Sequence, residues 1–270
     1  MAIIDKRLIQ LDSIRGLAAL SVFLTHILLL SSNPTVEKLS RESPLRILDN
    51  GHGAVLLFFV LSGFVLSLPF LKSAVPYTSF TIKRIIRIYF PYLVAITVAI
   101  LAFNSKDPIQ GYGEWIKNLA TGTFEVKGIL ENLLLVGNYD SDRYNPVIWS
   151  LVHEMRISLF FPIIALLIVR LRWTVNLVIC LGLSTVSSLN LLFHWEPYYG
   201  FQSSFLLSLH LSALFIIGGL VAKHRKELVG LYVKLPQSVK YVFFAAFDDP
   251  VHLRSQDARR NRKAGNGVVR

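Results

Sequence analysis

Six long apolar stretches set the fold class of this chain. Windows of about 17 or more apolar residues can cross a hydrocarbon core roughly 30 Å thick, and the six lie at 12–32, 53–71, 85–103, 147–169, 173–193 and 203–222. With 53% hydrophobic and 17% charged residues, the chain carries more apolar material than a soluble core could bury. The sequence therefore predicts an all-α fold, a polytopic bundle of helices that lies in the lipid bilayer.

A seventh apolar stretch begins near Tyr241 and ends at Phe247, which is too short to span. Residues 248–270 have no apolar periodicity and hold six arginine or lysine residues. We therefore expect a transmembrane domain over 1–247, cut off at its C-terminal end, and a disordered basic tail over 248–270. Two origins of the tail remain open, a different reading frame or a native cytoplasmic segment attracted to anionic lipid. The net charge of +11 depends partly on this tail, so no nucleic-acid partner is expected.

The lysine and arginine residues between the spans predict the orientation. The segments on the side of the N-terminus hold thirteen of them and the opposite loops hold seven. By the positive-inside rule the N-terminus is cytoplasmic, and we expect a multi-pass protein of the plasma or inner membrane. The single cysteine, Cys180, and the spacing of the histidines offer no metal-ligand pattern, so neither a metal nor a bound cofactor is expected.

Arg15 and His26 are ionisable residues within the first apolar stretch. Eleven residues on a helix bring the chain back to within roughly 20° of the same face, about 16 Å further along the axis. If Arg15 marks one membrane interface, His26 lies near the bilayer midplane. An ionisable residue inside a membrane indicates a functional site by default, although a histidine bonded to a neighbouring helix would look the same in sequence. We expect His210, in the sixth stretch, to be of that second kind.

Two further polar clusters lie at the ends of spans. Lys83, Arg84 and Arg87 open the third span on its cytoplasmic side, where guanidinium groups could bind the phosphates of an anion or simply anchor the helix. The fourth span carries His153, Glu154 and Arg156 near its outer end. His153 and Arg156 share a helix face while Glu154 points elsewhere. A carboxylate there must pair, protonate or touch water, and an ion pair that fixes helix register would satisfy it equally well.

Four runs of sequence occur in the order typical of one family of membrane enzymes: LDSIRGLAALSVFLTH (11–26), LLFFVLSGFVLSLPF (56–70), FTIKRIIRIYFP (80–91) and WSLVHEMRISLFFP (149–162). In these runs the chain resembles the acyltransferase family 3 membrane proteins. Members of that family move acyl groups, often acetyl, from cytoplasmic acyl-CoA to hydroxyl groups of sugars, lipid-linked glycans or small molecules. The likeness extends from residue 8 to about 245.

The resemblance implies roles for particular residues. His26 matches the catalytic histidine of the first helix, as base or acyl carrier, and Arg15 matches the arginine that accompanies it. Arg84 and Arg87, with Lys83 beside them, match the residues linked to acyl-CoA. Trp149, Ser150 and Glu154 match the opening of the fourth motif, and Glu154 is grouped with the catalytic residues. The implied partners are acyl-CoA, the acetyl form above all, as donor substrate, a carbohydrate or lipid-linked glycan as acceptor, and the bilayer.

The chain departs from the family pattern in ways that bear on function. Leu56 stands where family members commonly carry an aspartate, and the run from Met155 to Ser158 replaces a more polar stretch, so an altered acceptor is expected. The missing last third predicts that this polypeptide is impaired as an enzyme. Two other functions remain open: a transporter that uses the same intramembrane charges as a substrate path, and an inactive fragment that only inserts.

Overall fold

The computed structural model describes residues 9–30, 50–103, 126–139, 147–196, 204–237 and 239. Two compact units divide the chain, Met1–Lys223 and His224–Arg270. Within the described ranges the structure contains helices and no strands. The helices are α1 (Ile9–Leu30), α2 (Gly51–Phe70), α3 (Tyr77–Phe103), α4 (Val126–Leu134), α5 (Trp149–Arg170), α6 (Trp173–Phe193), α7 (Phe205–Lys223) and α8 (Arg225–Lys234). The predicted all-α class is confirmed.

Five of these helices are long and apolar enough to cross a bilayer, namely α1, α2, α5, α6 and α7. Each coincides with one of the six predicted spans. The remaining predicted span, 85–103, is helical over its whole length inside α3, although α3 is not among the five. The stalled seventh stretch and the basic tail lie outside the described residues.

The first unit is a bundle whose helices alternate in direction. Tyr77 at the start of α3 contacts Leu159 of α5, while Arg84 contacts Glu154, so α3 and α5 are antiparallel. Cys180 of α6 contacts Ala213 of α7, and Ser184 of α6 contacts His210 of α7. Later residues of α6 thus meet earlier residues of α7, so these two helices are also antiparallel. In contrast, α5 and α7 are parallel. His153 contacts Ser208 near the start of both helices, and Ile168 contacts Lys223 near the end of both. Such alternation is what successive crossings of one membrane require.

The centre of the bundle is formed by α2, α5 and α7. The contact between α2 and α7 is the most extensive between any two helices, and two glycines permit it. A Cβ on Gly63 would lie 2.1 Å from the carbonyl oxygen of Phe215, and one on Gly218 would lie 2.0 Å from that of Val60. Small residues of this kind let membrane helices approach closely. Phe59, Phe161 and Phe215 fill the adjoining core.

The described part of the second unit consists mainly of α8. Its ten residues include no buried side chain. His224, immediately before it, makes a hydrogen bond with Glu227, with 2.6 Å between Nδ1 and Oε2.

Candidate functional site

A cavity of about 740 Å³ lies between α1, α2, α3 and α5. Its ionisable lining residues are Arg15, His26, Arg84, Arg87 and Glu154. The structure therefore brings five of the six predicted site residues to one place, although they come from three helices far apart in sequence. The sixth, Lys83, is exposed on α3 and does not line the cavity. Ser62 and Ser150 add two hydroxyl groups to its wall.

Three arginines gather at one end of this cavity. Arg84 is the most enclosed of them, with 9% of its side chain exposed, and its Nη2 lies 2.6 Å from Oε1 of Glu154. Its Nε donates a second hydrogen bond to Oγ of Ser158, at 3.2 Å. Arg15 and Arg87 lie close enough to Arg84 for their like charges to oppose it. Among the ionisable residues that line the cavity, the three guanidinium groups outnumber the one carboxylate, so arginine charge is in excess there.

The contact between Arg84 and Glu154 revises the depth of these residues. The sequence predicts Arg84 at the cytoplasmic edge of its span and Glu154 near the outer end of the next, and it names no partner for Glu154. In the structure α3 begins at Tyr77, two helical turns before Arg84, and the Tyr77 hydroxyl reaches the carbonyl of Leu159, in the middle of α5. Arg84 therefore lies inside the bundle and not at its edge.

His26 lines the cavity from near the C-terminal end of α1. The adjacent Thr25 accepts a hydrogen bond of 2.9 Å from the backbone N–H of Gly51, the first residue of α2. His26 thus lies beside the start of α2 and not halfway along it, nearer one end of the bundle than the sequence suggested. Its Nδ1 is 2.6 Å from the carbonyl oxygen of Val22. A carbonyl can only accept, so in the neutral ring Nδ1 carries the proton and Nε2 is the basic nitrogen.

Apolar side chains make up most of the remaining cavity lining. Val22 and Phe23 of α1 belong to this lining together with residues of the facing helices, namely Phe58, Phe59, Ile88 and Leu151. Because Arg15 and His26 are eleven residues apart on one helix, they lie about 16 Å from one another along its axis. The cavity therefore combines a mostly apolar lining with three arginines, one carboxylate and one histidine.

The other polar residues of α5 lie away from this cavity. His153 is fully buried and its Nδ1 is 2.8 Å from Oγ of Ser208 in α7. Arg156 donates to the same hydroxyl and to the carbonyls of Val136, Gly137 and Ser204. These bonds tie α5 to α7 and to the segment after α4. The predicted division of the cluster, with Glu154 facing away from the other two, is confirmed.

His210 also lies outside the cavity lining, and its Nδ1 is 3.1 Å from Oγ of Ser184. The expectation that it bonds to a neighbouring helix is confirmed. Sequence reasoning missed Tyr92, which lines the cavity and is 1% exposed, with its hydroxyl donating to the carbonyl of Asn132. Its position four and eight residues beyond Ile88 and Arg84 places all three on one helix face, which is the signal that would have found it.

The bundle of long apolar helices is that of a multi-pass membrane protein, and it encloses a cavity lined by several charged side chains. Residues 8–247 match the family model described as an acyltransferase domain, that of acyltransferase family 3. The chain belongs to this family and is a membrane acyltransferase. Comparisons with curated proteins and with solved structures found no match.

Proposed function

We propose that the protein transfers an acyl group, acetyl above all, from acyl-CoA to a hydroxyl group of a carbohydrate or lipid-linked glycan. One observation carries this proposal: a single cavity is lined by three arginines and by His26, and one of these arginines, Arg15, lies about 16 Å from His26 along the axis of α1. In acyl-CoA, thirteen covalent bonds separate the thioester sulfur from the first phosphorus. An extended chain advances about 3.5 Å for every three bonds, so this arm reaches about 15 Å. Phosphates held at the arginines would place the thioester beside His26.

The chemistry at His26 follows from its basic nitrogen. Nε2 of His26 takes the proton of the acceptor hydroxyl as the hydroxyl oxygen attacks the acyl carbonyl carbon. The carbon–sulfur bond breaks and the CoA sulfur leaves, taking up the proton from the imidazolium. Transfer through an acyl group held briefly on Nε2 would use the same nitrogen. An imidazole suits either step because it exchanges a proton near neutral pH.

The positions of the remaining site residues give them different roles. Arg84 and Arg87 bind the nucleotide phosphates, since guanidinium forks match phosphate oxygens. Arg15, about 16 Å from His26 on the same helix, orients the phosphate at the end of the donor arm. Lys83 lies outside the cavity and serves as a membrane anchor.

We further propose that the arginine end faces the cytoplasm of a cell with its N-terminus inside. Acyl-CoA would enter from the cytoplasm and the acceptor would meet it from the opposite face at His26. The excess of lysine and arginine residues on the N-terminal side supports this orientation. In the plasma or inner membrane, this arrangement allows a cytoplasmic donor to modify an acceptor outside.

The experiment uses membrane vesicles of both orientations that contain the full chain, supplied with radiolabelled acetyl-CoA. The proposal predicts base-labile label in the glycan and lipid fraction of inverted vesicles only, with none when His26 is alanine. Equal labelling from the other side would contradict the proposed orientation. Accumulation of unesterified label inside the vesicles would favour a transporter.

A further inference from the structure

The guanidinium of Arg84 is held along one edge. Its Nε donates to Oγ of Ser158 and its Nη2 donates to Oε1 of Glu154, and these two nitrogens lie on the same side of the planar group. Among the hydrogen bonds to described residues, those of Arg84 leave Nη1 unused. Since Arg84 lines the cavity, the fixed edge determines which donors remain for a ligand.

The charge of Arg84 lies in a largely buried position, so its orientation depends on the partners that it contacts. Arg84 has 9% of its side chain exposed and Glu154 has 26%, while Ser158 is buried at 1%. A buried arginine without its partner carries an uncompensated charge and would change its orientation or draw in water. Arg87, in contrast, is exposed and has no such constraint.

We infer that Glu154 is a positioning residue for Arg84 and not an acid–base group of the reaction, an inference that rests on the proposed function. Its contacts support this role, because among the described residues the Glu154 carboxylate bonds to Nη2 of Arg84 at 2.6 Å. It also lies one helical turn from Ser158, the second acceptor of the same guanidinium.

Ser158 completes the arrangement from one helical turn further along α5. Glu154 and Ser158 are four residues apart and face the same direction, so one face of α5 supplies both acceptors. The pair selects the edge of Arg84 that is occupied and leaves the other for the phosphates of the donor. Acyl-CoA affinity, and not the rate of the bond-making step, should therefore depend on Glu154.

The test compares Glu154→Gln with the parent protein in detergent, by the Kd for CoA and by steady-state kinetics with acetyl-CoA. Glu154→Gln keeps the shape but removes the charge, and loss of one charge-assisted hydrogen bond corresponds to about a 10-fold change in affinity. We expect the Kd for CoA and the KM for acetyl-CoA to rise about 10-fold, with kcat changed less than 3-fold. Glu154→Asp, which restores the charge, should recover part of the affinity.

A double-mutant cycle separates positioning from a general effect on structure. If Glu154 acts only through Arg84, then Glu154→Gln should leave the Kd for CoA unchanged in an Arg84→Ala background. Ser158→Ala removes only the second contact and should raise this Kd about 3-fold, which keeps the inference testable should Glu154→Gln fail to fold. Glu227→Gln alters a carboxylate contact of equal length, that with His224, and should have no effect on the Kd for CoA.

Two results would overturn the inference. Tighter CoA binding in Glu154→Gln would mean that the carboxylate only opposes the anion. A fall in kcat at unchanged KM, with loss of one limb of the pH profile, would make Glu154 an acid or base of the reaction. Failure of the proposed function would give a different result. CoA would still bind and its Kd would still depend on Glu154, but no ester would form.

Discussion

Arg15 and His26 line one cavity from a single helix, with a cationic cluster around Arg15 and the start of α2 beside His26. The eleven residues between them set a distance of about 16 Å along the axis. In the proposed function this relationship would link donor binding to the reacting group, because both would be fixed to the same helix.

The first prediction concerns donor binding at the arginine end. Arg87 and Lys83 are both exposed cations of α3, but only Arg87 lines the cavity. Arg87→Ala should raise the KM for acetyl-CoA about 10-fold with little change in the KM for the acceptor, because it removes a charge-assisted bond to phosphate. Lys83→Ala should change neither constant by more than about 2-fold. Equal effects of the two substitutions would show that α3 contributes only diffuse positive charge.

The second prediction concerns the apolar lining of the cavity. Ala19 lines the cavity between Arg15 and His26, whereas Leu17 on the same helix is 63% exposed and does not. Ala19→Phe should obstruct the arm of acyl-CoA and reduce kcat/KM at least about 10-fold. Leu17→Phe adds bulk outside the cavity and should leave activity near that of the parent protein. Normal turnover of Ala19→Phe would place the donor elsewhere.

The third prediction concerns the close approach of α2 and α7. Gly63→Ala would place a methyl group 2.1 Å from a backbone oxygen of Phe215, whereas a Cβ on Gly182 would meet nothing within 4 Å. Backbone must shift at Gly63, and overpacking of this kind destabilises a protein. The apparent melting temperature in detergent should fall by about 5 °C for Gly63→Ala. Gly182→Ala serves as the control. An equal fall in its melting temperature would contradict the prediction that the close α2–α7 contact makes Gly63 sensitive to substitution.

The fourth prediction concerns orientation. In a Cys180→Ser background, a cysteine at Ser73, which follows α2, should be reached by an impermeant thiol reagent only in inverted vesicles. A cysteine at Val126, which begins α4 and is 74% exposed, should react only from the opposite side. The reason is the excess of lysine and arginine residues in the segments on the Ser73 side. Reversed labelling would mean that the positive-inside count misplaced the N-terminus.

The sequence predicted the helical class and five of the spans because a bilayer demands long apolar segments, a signal that needs no tertiary information. It singled out Arg15 and His26 because charge inside an apolar stretch is rare, and Arg84 and Arg87 because they share a helix face at the edge of a span. It did not predict that Glu154 pairs with Arg84. That contact depends on where α3 begins, at Tyr77 and not near residue 85, and on the register of α3 against α5. Helix register is set by packing between distant segments, which hydropathy does not record.

The central claim is that His26 carries the chemistry while the arginines hold the donor. The most direct measurement is acetyl transfer from radiolabelled acetyl-CoA by His26→Ala, with CoA binding measured on the same preparation and His210→Ala as the matched control. His210 bonds to Ser184 and does not line the cavity. We predict that His26→Ala loses transfer by at least about 100-fold while it binds CoA within about 2-fold of the parent, and that His210→Ala keeps both. Transfer by His26→Ala near the parent rate would contradict the account.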